Sequence, residues 1–131
     1  MKFVTKEFTL ELLEKNIISH KVNLSCTQLT LEGVIEVIEQ IKDLIPIDSK
    51  PTKLLTYVAP FYVKKQIVKL FMTSIPIPIS CIALVCPGYI SKYVAGVAIK
   101  MHKRFNKEEH DQTEIQIFIK EDEAIEWLTS S

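Results

Sequence analysis

The stretch Cys86-Pro87-Gly88-Tyr89-Ile90-Ser91-Lys92 holds the residue types best placed to do chemistry. A thiol that ends an apolar strand and precedes a turn and a helix start lies in the field of the helix dipole. That field lowers its pKa and favours the nucleophilic thiolate. A thiol loop that cradles phosphate also needs several glycines and an arginine in the sixth place after the cysteine. This stretch has a single Gly and ends in Lys92. Cys86 therefore reads first as a small buried thiol and only second as the nucleophile of a thiol enzyme. The same turn offers helix-start amides to an anion, with Gly88, Ser91 and Lys92 as the candidate binding residues. Any turn from strand to helix makes that offer, so the signal is generic.

His20, His102 and His110 have no metal-ligand spacing. His20, between Ser19 and Lys21, reads as solvent-facing on a strand. His102 sits beside a basic helix face, and His110 follows Glu108 and Glu109, a place for adventitious metal only. There is no nucleophile–histidine–acid spacing and no phosphate-loop motif. The expectation is a protein that is not an enzyme, with no catalytic residue, metal or cofactor. Cys26, Cys81 and Cys86 form no CxxC pair, and an odd count suits reduced thiols. Cys81, inside an apolar run, is expected in the core.

The 16 basic and 16 acidic residues cancel, but they are segregated. Residues 1–49 carry a net −3, residues 50–107 carry ten bases and no acid, and residues 108–131 carry a net −7. The central block is either an electropositive surface for an anionic partner or a set of basic helices neutralised by acidic neighbours. For the first case the candidate binding residues are Lys92, Lys100, Lys103 and Arg104. A pI of about 6.8 and the lack of nucleic-acid recognition motifs argue against DNA or RNA. An acidic protein, an anionic small ligand or an anionic membrane surface remains as partner.

The elements that position these residues follow from apolar periodicity. A length of 131 residues with 47% apolar and 24% charged residues supports one globular domain, residues 1–131. The apolar run 75–90 is broken by Pro76, Pro78, Pro87 and Gly88, so no membrane span is expected. Acids in the first fifteen residues argue against an export signal and predict a cytoplasmic location. Residues 7–13 and 17–22 read as strands joined by a hairpin through Glu14-Lys15-Asn16, where Asn16 tolerates a positive φ. Thr30 N-caps a helix with Leu31, Val34, Ile35, Ile38, Ile41 and Ile45 on its buried stripe, stopped by Pro46. Residues 53–58 form a strand, and Pro60 opens a helix with Val63, Ile67, Leu70 and Phe71 inward.

Residues 75–79 are extended by their prolines and feed strand 80–86, apolar enough to be buried on both faces. Helix 89–105 turns Ile90, Val94, Val97, Ala98, Met101 and Phe105 inward. After a polar loop at 106–113 come strand 114–119 and helix 121–129, with Ala124, Trp127 and Leu128 inward. The order β-β-α-β-α-β-α-β-α predicts an α/β fold. It has a mostly parallel five-stranded sheet, an antiparallel N-terminal strand and four helices.

This order, and the close Phe118, Glu121, Ala124, Trp127-Leu128 in an F-x-x-E-x-x-A-x-x-W-L pattern, resembles the SpoIIAA-like (STAS-type) fold. More narrowly it resembles small bacterial STAS-like proteins of uncharacterised function. The resemblance implies a βα superhelix with its helices on one sheet face. It also implies a non-catalytic, cytoplasmic regulatory or protein-interaction module, and leaves a lipid- or anion-binding protein as the alternative. Switch proteins of that kind carry a phosphorylated serine where the central strand meets the next helix. Here Tyr57-Val58-Ala59-Pro60-Phe61 holds no Ser or Thr at that turn. A one-sided helical layer would leave apolar strand faces bare. Either a helix crosses over or a second subunit covers them, and a homodimer packed through sheet or helix faces is the expectation.

Overall fold

The computed structural model describes residues 2–13, 16–44, 52–74, 79–105 and 113–130. The expectations for Glu14-Lys15, for Ile45 and the stop at Pro46, for residues 75–78, for the Phe105 side chain and for the loop 106–112 with His110 lie outside the described residues. The elements are β1 (Lys2–Val4), β2 (Phe8–Leu13), β3 (Ile17–Val22), α1 (Leu31–Leu44), β4 (Thr52–Tyr57), α2 (Lys65–Thr73), β5 (Ile79–Val85), α3 (Tyr89–Phe105), β6 (Glu114–Phe118) and α4 (Glu121–Ser130). The α/β reading holds, with four helices. The sheet has six strands in the order β1-β2-β3-β4-β5-β6, not five. The additional strand is β1, three residues paired only with β2 and too short to show a period. Pairing is antiparallel from β1 to β3 and parallel from β3 to β6. Asn16, before β3, has φ 60°, the left-handed conformation its short polar side chain tolerates.

Alternation along the strands sorts the core into two layers. Ile82, Leu84 and Cys86 face α1, α2 and α3, while Cys81, Ala83 and Val85 face α4. The first three helices thus share one face, and α4 lies on the other, packed over β4 and β5. This corrects the one-sided superhelix. The acidic first turn, Glu121 to Glu123, starts α4 just past β6, and Ala124 and Leu128, both fully buried, bring it back under the sheet. Lys53 Nζ donates to the Leu128 carbonyl at 2.6 Å, a cation at the helix C-terminus. The rest of that face, over β2 and β3, presents Thr9, Glu11, Ser19 and Lys21 to a wide basin of mixed polar and apolar lining. Of the two covers considered for the second apolar face of β5, a crossing helix or a second subunit, α4 supplies the first.

Three helices differ from the periodicity reading. In α1 the buried stripe is Val34, Val37, Ile38 and Ile41, and Leu31 and Ile35 are exposed. In α2 the helix starts at Lys65, with Lys64 as an extended N-cap residue, so Pro60 lies in the preceding connection. In α3, Ile90 is exposed as well. Leu31 and Ile90 lie in the first turns of their helices, and Ile35 in the second turn of α1.

Candidate functional site

Thr30 caps α1 as its sequence position suggests. Its Oγ1 accepts from the Gly33 amide at 3.0 Å and donates to Glu7 Oε2 at 2.6 Å, while its own amide donates to Glu7 Oε1 at 3.0 Å. Glu7 is buried, so a carboxylate is held against the positive end of α1. A Cβ on Gly33 would overlap that carboxylate. This arrangement is closed on itself and fixes the start of α1 beside the C-terminal ends of β3 and β4.

Beneath that junction the α1–α3 layer leaves a cavity of about 80 Å³ against the sheet. Its walls are almost wholly apolar, from Phe8, Val34, Ile67, Phe71, Leu84, Val94 and Ala98 among others. Leu29, Val58 and Val63, all half-buried, line it from the connections after β3 and β4. Two lining residues are different. His20 and Thr56 are register partners on the parallel strands β3 and β4. His20 is 4% exposed and Thr56 7% exposed. Among the described residues neither ring nitrogen of His20 nor the Thr56 hydroxyl has a hydrogen-bond partner. Buried polar groups are nearly always paired, because an unmade bond costs about 1–3 kcal/mol. Three unmet groups on two residues that line one cavity make a candidate recognition point.

Aromatic packing holds the imidazole in place. His20 stacks between Phe8 (4.5 Å, 23°) and Phe71 (4.9 Å, 17°). Burial pushes its pKa from 6.5 down to about 3, so the ring is neutral at physiological pH. A neutral imidazole offers one donor and one acceptor, and the threonine hydroxyl offers both. The solvent-facing reading of His20 is corrected. Period-two alternation places it with Ile18 and Val22 on the helical face, and Ser19 and Lys21 on the opposite one. That parity was present in the sequence, in the flanking apolar residues at even positions.

The sequence-derived candidates fall elsewhere. Cys86 is fully buried, its Sγ 3.6 Å from the Leu84 carbonyl, and burial outweighs nearby Lys92 to push the thiol up to about 11. A protonated, enclosed thiol is a poor nucleophile. Cys81 is buried against α4, as expected of a core thiol. Gly88 and Ser91 do meet, but in mutual bonds. Ser91 Oγ donates to the Gly88 carbonyl at 2.9 Å and accepts from the Gly88 amide at 3.2 Å. Lys92 is exposed, its Nζ 6.0 Å from the Tyr89 ring. Lys92, Lys100, Lys103 and Arg104 are all exposed on α3. On the α4 side, Lys21 Nζ lies 4.4 Å from the Tyr57 ring centre, and the Tyr57 hydroxyl donates to Glu121. Burial and then Glu121 raise that phenol above its ordinary range. Among the described residues no three metal-ligating side chains gather, and no helix is long and apolar enough to cross a membrane.

No protein-family model, no curated protein and no solved structure matches this chain.

Proposed function

We propose that this protein binds a small, uncharged amphiphile between its sheet and the α1–α3 layer. The observation that carries the reading is the His20–Thr56 pair, two residues that line an apolar cavity of about 80 Å³ and hold three buried polar atoms with no partner among the described residues. That volume exceeds the ~10–15 Å³ needed for one water and suits a compact apolar group or the end of a chain. A neutral imidazole gives no charge to attract an anion, so the polar end of the ligand is a hydroxyl, carbonyl or amide. The place of the cavity, at the carboxyl ends of parallel strands, is the usual one for ligands in open α/β sheets. Three free cysteines suit a reducing, cytoplasmic setting. Kinship with SpoIIAA-like domains rests on the parallel βα steps and the Phe118–Leu128 pattern, with α4 as a departure.

Native mass spectrometry of the freshly purified chain tests the reading. The expected result is a fixed mass excess that organic extraction removes and that an Ala98→Phe chain, with its cavity filled, does not carry. The melting temperature of extracted protein should also rise with medium-chain alcohols. A chain with no excess mass and no response to such alcohols overturns it.

The expected interaction module is the second reading. It draws on Lys100, Lys103 and Arg104, exposed near the far end of α3. Reversing the three to Glu should abolish binding of an acidic protein without unfolding the domain, and unchanged binding removes the reading.

A further inference from the structure

The carboxyl end of the sheet carries an exposed apolar side chain on each described connection. Val4 ends β1, Leu24 lies after β3, Tyr62 after β4, Tyr89 starts α3 after β5, and Ile119 follows β6. Single exposed apolar residues are ordinary on protein surfaces. Five, each at or just beyond a different strand's carboxyl end, are a pattern. Leu24 is wholly solvated, Tyr89 is 89% exposed and Tyr62 is 72% exposed. The two tyrosines stand among Lys64, Lys65 and Lys92, all exposed, in a stretch of chain with no acid from residue 50 to 107. The acids at this end, Glu121, Asp122 and Glu123, belong to α4 on the other face, and Glu32 to the first turn of α1. The basic sector therefore lies over the connections that follow β4 and β5.

We infer that this end of the molecule docks on an anionic lipid surface. The charge is complementary, since lysines near such a surface are drawn to acidic headgroups. Tyrosine suits the headgroup level, with an apolar ring and a polar tip. Side chains set apart at separate strand ends, with Tyr62 edge-on against exposed Tyr93 at 5.7 Å, need no matching pocket in a fluid interface. Leu29 and Val63 place the cavity lining on the same connections as Leu24 and Tyr62. The inference does not rest on a loaded cavity, because none of its residues is His20 or Thr56.

Vesicle flotation of the full chain tests it, with phosphatidylcholine alone and with about 30 mol% phosphatidylserine added. Binding should require phosphatidylserine and weaken with salt. Lys64→Gln with Lys65→Gln and Lys92→Gln should lower the partition by about fivefold per lysine, roughly a hundredfold together. Leu24→Ser with Tyr62→Ser and Tyr89→Ser should lower it at least tenfold at unchanged charge, with an unchanged circular dichroism spectrum. No binding to either vesicle overturns the inference, and so does binding that the tip substitutions leave intact. Self-association that those substitutions abolish, without vesicle binding, assigns the face to a second copy and overturns it too. An Ala98→Phe chain that still floats separates this result from failure of the cavity reading.

Discussion

His20 on β3 and Thr56 on β4 stand side by side across a parallel pair, both withdrawn from solvent and their side chains without a hydrogen-bond partner among the described residues. A strand pair that was only structural would place apolar residues here, as it does at Ile18 and Leu54 one step earlier. Thr56→Val keeps the shape and removes the unmet hydroxyl. Ligand-free protein should gain about 1 kcal/mol in urea unfolding, while its response to medium-chain alcohols falls. A loss of stability would mean that the hydroxyl is bonded in solution.

The neutral state of His20 sets a pH dependence. Its pKa is about 3 when folded, against the ordinary 6.5 of histidine in the unfolded chain. Between these values the unfolded chain binds more protons, so stability is full above about pH 6.5 and falls as pH drops toward 3. From pH 7 to pH 5 the loss should be about 2 kcal/mol, before most carboxylates titrate. His20→Leu should flatten that slope in urea midpoints. An equal slope in both chains would place the imidazole in water.

Much of this fold was legible in the sequence, because its longer elements have clear periods. The Val34-Ile38-Ile41 stripe, the uninterrupted apolar run of β5 and the Thr30 cap all came from local chemistry. What escaped was set by tertiary context. The three residues of β1 gain their pairing only from β2. The second apolar face of strand 80–86 is visible in a local window, but that α4 is the helix that crosses over to cover it at β4 and β5 is not. The site was missed because His20 was judged by its neighbours Ser19 and Lys21, when its face is shared with residues two places away. Cys86 drew attention as a strand-end thiol, but the strand end lies under the α1–α3 layer, where burial keeps it protonated.

Gly33 is fixed by Glu7. Alanine in place of glycine inside a helix ordinarily gains about 1 kcal/mol. Here the new methyl group would push the Glu7 carboxylate from its bonds to Thr30. Gly33→Ala should therefore lose about 1–2 kcal/mol, the worth of those charge-assisted bonds. In a Glu7→Ala background the same change should become stabilising. A double-mutant cycle measures the reversal, and additive effects would remove the coupling.

The thiols report separately on the two layers. Cys26 is half-buried, while Cys81 and Cys86 are buried on opposite faces of the sheet. Native protein treated with iodoacetamide near neutral pH should take one label at Cys26, and unfolded protein three. Leu128→Ala removes a fully buried side chain of α4 and should cost about 2–5 kcal/mol. Because α4 covers Cys81 and not Cys86, that substitution should speed labelling at Cys81 alone. Peptide mapping of the labelled chain reads this directly. Equal acceleration at Cys86 would mean that the two layers open together, and that α4 is part of one cooperative core and not a separate cover.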